Sequence, residues 1–505
     1  MIQVDWRGRT LNILSWVILI AVLAPEWWAF FKSEAFVFVN GWDEETYLSW
    51  QGVLGAKDGP GYYSLYLYWA LHQIGFSGAV QNLISDTIFF PLTIYLVFLS
   101  LKRINFGADS ALAYAVLICL SSVLFNYANP LVSYLLGPYN GNAIFMAGHE
   151  YYPTILRTPN PQVSYFLLAL AVYGFLRLRR AWILLLPLPL LYFHVAVPYV
   201  FLLGLVAAHW IVVTKFRSTG SPGRTVLVFL TIFLAFSLGL TLLFYLGGLY
   251  RPDNVIRQSS HLFIETRRPQ IPLILMLLGL LGALIIFFKW AHPSKFQGAA
   301  LGWLAMAALM SVNVHVVAGF MLSQKNYYDY GLSVLFGLGL VLMIEMLLNE
   351  KVRYWVVLFA LLLVGYAAFQ SQHRYAKYAV SMSARIAPIL KEVRKDPLHS
   401  IIPSLDVSSM MAYSTPKLLA PPFSYLYYFG FIARQCSEYE LLLDNAVAYA
   451  KGVLQDQPEQ LKELMKTASN IERGRREAGA MPYSEQDYCH ANFNHKKEFT
   501  LFQSK

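Results

Sequence analysis

Apolar residues in this chain come in runs about as long as a bilayer is thick, separated by short polar connections. The first extends from about Leu11 to Phe31. Others follow near Val80–Leu101, Ser110–Asn129, Val163–Leu176, Trp182–Tyr192 and Val195–Thr214, then near Thr225–Gly247, Ile271–Phe288, Ala299–Met321, Leu332–Leu348 and Tyr354–Phe369. A helix of about 20 apolar residues crosses the hydrocarbon core, so the pattern predicts an all-α polytopic membrane protein with about eleven transmembrane helices. The Trp182–Tyr192 run is short and holds Pro187 and Pro189, which predicts a broken or kinked crossing. The first run is too long for a signal-peptide core and no small-x-small site follows it, so it is expected to stay as the first helix.

Charge orders these helices. Counted alternately from a cytoplasmic N-terminus, one side receives Lys102 and Arg103, Arg177, Arg179 and Arg180, Lys215, Arg217 and Arg224, Lys289 and Lys295, and Lys351 and Arg353. That is the positive-inside pattern. The other side receives most loop acids, among them Glu34, Asp43, Glu44, Glu45, Asp58, Glu150, Asp253, Glu265 and Asp329. The same parity places the residues after about 371 outside.

Two units are expected. Residues 1–370 form a transmembrane domain whose long first exoplasmic loop, 32–79, carries two interfacial amphipathic helices near Glu44–Ala56 and Tyr62–Ile74. Residues 371–505 form a small exoplasmic C-terminal domain, mostly helical, with candidate helices at Arg385–Lys395, Glu438–Gln455 and Pro458–Glu477. If that region is exoplasmic, Cys436 and Cys489 could pair, whereas Cys119 lies inside an apolar run.

Composition agrees with the pattern. The 505 residues are 57% hydrophobic and 13% charged, against about 45–50% and about 25% in ordinary soluble domains. The net charge of +10 does not point to nucleic acid, because most Lys and Arg sit at the ends of apolar runs. Walker A, G-x-S-x-G, dinucleotide-binding and zinc spacings are all missing, which leaves ATP-driven transport and nucleotide-sugar chemistry without support.

Candidate chemistry lies outside the apolar runs. The stretch Asn40-Gly41-Trp42-Asp43-Glu44-Glu45-Thr46-Tyr47 sets three consecutive carboxylates just past the first helix. Asp43 suits a helix N-cap with Glu44 and Glu45 in the first turn, and a capping acid can still face a cleft. Facing it in function is a cationic set, Arg157, Arg251, Arg257, Arg267, Arg268 and Lys325, placed against the positive-inside trend. Guanidinium groups match phosphate bidentately, so the set points to an anionic headgroup, while ion pairs with Glu150, Glu265 and Asp329 are the plainer explanation. His149, His194, His261 and His315 have no metal-ligand spacing and read as hydrogen-bonded structural residues. His194 follows Tyr192-Phe193 at a helix junction and could instead face an aqueous cavity.

A first helix, a long exoplasmic loop opening on Trp42-Asp43-Glu44-Glu45-Thr46-Tyr47, then two interfacial helices, resembles the GT-C superfamily of integral-membrane glycosyltransferases. Arg157-Thr158-Pro159-Asn160-Pro161 and the Gly319…Gln324-Lys325 turn add to the likeness and resemble uncharacterised bacterial relatives. The resemblance implies an inverting hexosyl- or pentosyltransferase that uses a polyprenyl-phosphate-linked sugar at the outer face of a bacterial inner membrane. Its acceptor would be a periplasmic or cell-surface glycan, lipid or protein. It further implies Asp43 as general base, with Glu44 as the alternative, and Arg157, Lys325, Arg267 or Arg268 on the departing phosphate. His149, His194 and Glu150 complete the expected substrate set. Some members use a divalent metal (Mg or Mn), for which Glu150 or Asp329 would join Asp43. The chain departs from oligosaccharyltransferases in its small C-terminal region, which has no W-W-D signature.

Rival readings are a flippase or transporter of a lipid-linked anion, a polysaccharide polymerase or ligase, and a scaffold with a degenerate site. A transporter would need charged groups deep in the bilayer and a repeat-related pair of broken helices. Only Glu345 and Asp86 qualify on this reading, both near helix ends. A polymerase or ligase would concentrate function in a large late loop, whereas the longest loop here is the first.

Overall fold

The structure is a computed structural model, and it describes residues 6–33, 70–71, 74–76, 78–107, 109–127, 154–156, 161–216, 296–314, 330–331 and 333–395. Among these residues there is no strand, and the regular elements are helices. They are α1 (Trp6–Lys32), α2 (Gly78–Arg103), α3 (Ala111–Tyr127), α4 (Gln162–Leu178), α5 (Phe193–Phe216), α6 (Phe296–Val312), α7 (Ser333–Leu347) and α8 (Glu350–Lys395), with three short 3-10 segments. Three stretches, Trp6–Lys32, Val80–Arg103 and Glu350–Ser381, are long and apolar enough to cross a membrane, and shorter apolar helices pack around them. The chain is membrane-embedded.

α3 is the central helix. Every residue from Ala111 to Val123 is buried, and α1, α2, α7 and α8 all pack on it. Close approach needs small residues, as it does wherever helices pack in lipid. A Cβ on Gly337 of α7 would stand 2.9 Å from the Ile118 carbonyl, and one on Gly365 of α8 would stand 2.7 Å from Ile18 Cγ1. The α2–α3 turn closes through Asn105 and Gly107, both at positive φ, and Gly107 lies flat against the Tyr114 ring. A side chain there would meet both the strained backbone and that ring.

Aromatic residues mark two levels along α1 and α8. Trp6 packs edge-on against Tyr354 at one level, and Trp28 lies beside His373 at the other. At 1.5 Å per residue, Trp6 and Trp28 are about 33 Å apart, and Trp355 and His373 about 27 Å. Both spacings match a hydrocarbon core of about 30 Å. The lower level is basic, with Arg7, Arg9, Lys102, Arg103, Arg177, Arg179, Arg180, Lys351 and Arg353 all at that end of their helices. There Arg353 donates to Glu345 Oε1 at 2.6 Å, and the Tyr114 hydroxyl donates to Glu345 Oε2 at 2.6 Å. These contacts lock the α7–α8 corner to α3.

The run at Trp182–Tyr192 forms no α-helix, in keeping with the break that Pro187 and Pro189 predict there. Two 3-10 segments, Ala181–Leu185 and Leu188–Leu190, run back along α4. Ile183 packs near Gly174, and the Tyr192 N–H reaches Ser164 Oγ at 2.7 Å, beside the first turn of α4. The physical cause is Pro187 and Pro189, whose missing N–H groups cannot feed an α-helical ladder. A 3-10 rise of about 2.0 Å per residue lets this short piece reach from the end of α4 back to its first turn. Backbone groups in lipid must find partners. The Tyr199 hydroxyl supplies one by donating to the Leu184 carbonyl at 3.0 Å, and Ser164 supplies another.

α8 is 46 residues long, or about 69 Å. It runs unbroken through residue 371, where the sequence suggests a domain boundary, and reaches about 33 Å past His373. One buried stripe, Val357, Leu361, Val364, Ala368, Gln372, Ala376, Ala379 and Ser383, follows helical spacing along its length. Residues 396–505, with Cys436, Cys489 and the two later candidate helices, lie outside the described residues.

Candidate functional site

At the level opposite the basic collar, polar side chains are buried in a layer shared by α1, α2, α3, α4, α5, α7 and α8. It contains Glu26, Gln81, Asn82, Ser85, Asp86, Ser122, Thr154, Gln162, Ser164, His194, Ser333, Ser371 and Gln372. Glu26 and Asp86 are each 1% exposed. Carboxyl groups at bilayer depth are costly and mark function more often than surface acids do.

α2 and α4 form the heart of this layer. Gln162, the first residue of α4, donates from Nε2 to Asp86 Oδ1 at 2.5 Å and accepts at Oε1 from Ser85 Oγ. Asp86 is thus eight residues into α2 and about 24 Å from Lys102 along the helix. Gln81, one turn nearer the helix start, donates to the Phe76 carbonyl at 2.8 Å and fixes the chain leading into α2.

Hydroxyl contacts join the next segments. The Thr154 N–H donates to Ser122 Oγ at 3.0 Å, which seats the 3-10 turn Thr154–Leu156 on the end of α3. The Tyr165 hydroxyl donates to the Tyr330 carbonyl at 2.7 Å and lies 3.5 Å from Thr154 Oγ1. Ser121 Oγ donates toward the Ser333 carbonyl at 2.8 Å, tying the start of α7 to α3.

His194 is buried, 3% exposed, with its ring 4.8 Å from that of Tyr192 and 6.5 Å from that of Tyr330. The chain at Gly331 is seated against its backbone, since a Cβ there would be 2.7 Å from the His194 carbonyl. Pro198 brings no N–H to that carbonyl, so α5 opens with a locally loosened turn. His194 is therefore wrapped by aromatic rings and faces no open solvent.

Of the residues that the sequence proposes for the transferase site, His194 alone is among those described. Asp43, Glu44, His149, Glu150, Arg157, Arg267, Arg268 and Lys325 lie outside them. The layer nonetheless gathers the chain ends that lead to several of these residues. Ala29 of α1, Val163 of α4 and Ala376 of α8 pack together, so the chain leaves α1 toward Asp43 beside the first turn of α4. Leu156 precedes Arg157, and Pro161 precedes Gln162. Tyr330, five residues after Lys325, is held by Tyr165. Sequence reasoning missed Glu26, Gln162, Tyr165 and Gln372, and it set Asp86 aside as a helix-end residue. A usable signal was present, since Glu26 and Asp86 both interrupt otherwise apolar runs.

Among the described residues, no three His, Cys, Asp or Glu side chains come together as a metal-binding group. The acids suggested for a divalent ion, Asp43, Glu150 and Asp329, are not among these residues. No protein-family model, curated protein or solved structure matches this chain.

Proposed function

We infer that this protein is a membrane glycosyltransferase that takes its sugar from a polyprenyl-phosphate carrier at the exoplasmic face of a bacterial inner membrane. One observation carries the reading. The chain ends leading to Asp43, Arg157 and Lys325 all emerge around the buried Ser85–Asp86–Gln162 cluster at the end away from the basic collar. A base and two cations brought together there would meet the two needs of the displacement.

In this reaction the acceptor hydroxyl oxygen attacks the anomeric carbon while Asp43 takes the hydroxyl proton, with Glu44 as the alternative base. The bond from that carbon to the phosphate oxygen breaks, and its electron pair stays on the departing polyprenyl phosphate. Arg157, Lys325, Arg267 or Arg268 neutralises that oxygen, with His149 and Glu150 as further substrate-side groups. Attack opposite the leaving group inverts the anomeric centre. Purified protein supplied with polyprenyl-phosphate sugars and cell-envelope acceptors should release polyprenyl phosphate. Asp43→Asn should abolish release and leave folding intact. Full activity in that variant would sink the assignment.

A second reading, a flippase or transporter of a lipid-linked anion, gains support from Glu26 and Asp86 buried at bilayer depth and from the broken crossing at Ala181–Leu190. Vesicles loaded with a labelled lipid-linked sugar separate the two. Movement between leaflets with no bond cleavage favours transport, and cleavage favours transfer.

A further inference from the structure

Two short segments, one leading to Arg157 and one following Lys325, are held together by three helices. Ser121 and Ser122, neighbours on α3, each take one of them. Ser122 Oγ accepts from the Thr154 N–H at 3.0 Å, and Ser121 Oγ donates toward the Ser333 carbonyl at 2.8 Å. From the first turn of α4, the Tyr165 hydroxyl donates to the Tyr330 carbonyl at 2.7 Å and lies 3.5 Å from Thr154 Oγ1. On α5, a Cβ at Gly331 would stand 2.5 Å from Pro198 Cγ and 2.7 Å from the His194 carbonyl, so the second segment is seated there without slack. Thr154, Ile155, Leu156, Tyr165 and Tyr330 are all buried, which shields these contacts from bulk water. One carbonyl would satisfy a buried Tyr hydroxyl. This one touches both segments, which are far apart in the chain.

We propose that Tyr165 is a positioning residue for the donor phosphate, coupling the Thr154–Leu156 turn to the Tyr330 segment and so setting the spacing of Arg157 and Lys325. The proposal rests on the transferase reading, in which those two cations hold the phosphate. Arg157 directly follows the turn, and Lys325, five residues before Tyr330, stays within about 18 Å of it even on an extended chain. Tyr165 gives its one proton to Tyr330, so the Thr154 hydroxyl is the donor in the other contact. At 3.5 Å that contact is longer than the usual O–H···O distance of about 2.7–2.8 Å. Contacts of this kind tighten when substrate binds. A phosphate bridging the two cations would draw the segments together and shorten it.

The test compares binding of farnesyl phosphate, a short polyprenyl phosphate, with binding of uncharged farnesol, measured on the full chain in neutral detergent. Wild type should bind farnesyl phosphate the more tightly. Tyr165→Phe removes one hydrogen bond and should weaken farnesyl phosphate about tenfold, with farnesol unchanged and melting close to wild type. Thr154→Val keeps the N–H on Ser122 and loses only the long contact, so it should weaken farnesyl phosphate less, by about threefold. Tyr199→Phe deletes a similar hydroxyl, bonded to the Leu184 carbonyl, and should change neither ligand. Unchanged binding in Tyr165→Phe, equal weakening of both ligands, or the same loss in Tyr199→Phe would overturn the proposal. Wild type that binds the two ligands alike would overturn it together with the polyprenyl-phosphate reading. Phosphate preference lost in Tyr165→Phe, in a protein that transfers no sugar, would overturn the transferase reading alone.

Discussion

The side-chain amide of Gln162 holds the buried carboxyl of Asp86 at 2.5 Å, joining the first turn of α4 to the upper third of α2. The same amide accepts from Ser85, so one side chain uses both its donor and its acceptor side on neighbouring residues of α2. The pair sits where α4 begins, beside Val163, which packs on α1 and α8. It therefore fixes the position of the chain that the proposed site is built from.

Removing the amide should be worse than removing the charge. Gln162→Leu keeps the volume and takes one donor away from a buried carboxyl, an imbalance that costs about 1–3 kcal/mol. Asp86→Asn keeps an Oδ1 acceptor for Gln162 Nε2 and should cost about 1 kcal/mol or less. Thermal unfolding in detergent should rank Gln162→Leu well below Asp86→Asn. The reverse order would mean that the bond does not hold α4 in place.

Tyr165→Phe deletes one hydroxyl that donates to the Tyr330 carbonyl. Interhelical hydrogen bonds in membranes are worth on the order of 1 kcal/mol, so global stability should fall slightly. The local effect should be larger, because this bond ties the chain entering α7 to α4. Hydrogen exchange should rise at Tyr330 to Ser333 with little change in α3. Uniform loss of protection across the molecule would contradict a local tie.

Gly365 and Ile18 should show coupled energetics. A Cβ at Gly365 would meet Ile18 Cγ1 at 2.7 Å, and the β-branched Ile18 has little rotamer freedom to yield. Gly365→Ala alone should destabilise by about 1–3 kcal/mol through overpacking. Ile18→Ala alone should destabilise through the cavity it leaves. Combined, the added methyl enters the vacated space, and the double variant should be more stable than the sum by about 1 kcal/mol. Strict additivity would place the two helices farther apart than described here.

How much of this was legible in the sequence depended on the kind of signal. Apolar runs about a bilayer long gave α1, α2, α4 and α7 nearly to their ends, because in lipid hydropathy and helix length are set by the same thickness. The crossing after α4 was legible only as trouble. Pro187 and Pro189 announced a broken segment, while its 3-10 form depends on Tyr199 and Ser164, distant partners that no local pattern reveals. The polar layer was harder still. Ser85, Asp86 and Gln162 are far apart in the chain, and their meeting depends on how α2 and α4 pack. Glu26 and Asp86 were visible as acids inside apolar runs, a signal given too little weight beside the exposed acids at Asp43 to Glu45. The proposed catalytic residues came from motif and resemblance, and they lie outside the described residues.

α8 offers a direct test of the membrane frame. Lys351 and Arg374 are both exposed on it and lie about 34 Å apart along the axis, just beyond the two aromatic levels. In a chain with Cys436 and Cys489 changed to Ser, and with Cys119 buried, single cysteines at these two positions provide unique labels. In sealed, oriented vesicles a membrane-impermeant maleimide should reach Arg374→Cys from one face and Lys351→Cys only from the other. Labels placed between them, at Phe359 or Leu363, should react slowly from either face, because those side chains lie at lipid depth. If Lys351→Cys and Arg374→Cys react from the same face, α8 does not cross the membrane. The basic collar and the polar layer would then no longer mark opposite surfaces, and the exoplasmic placement of the proposed site would fall with them.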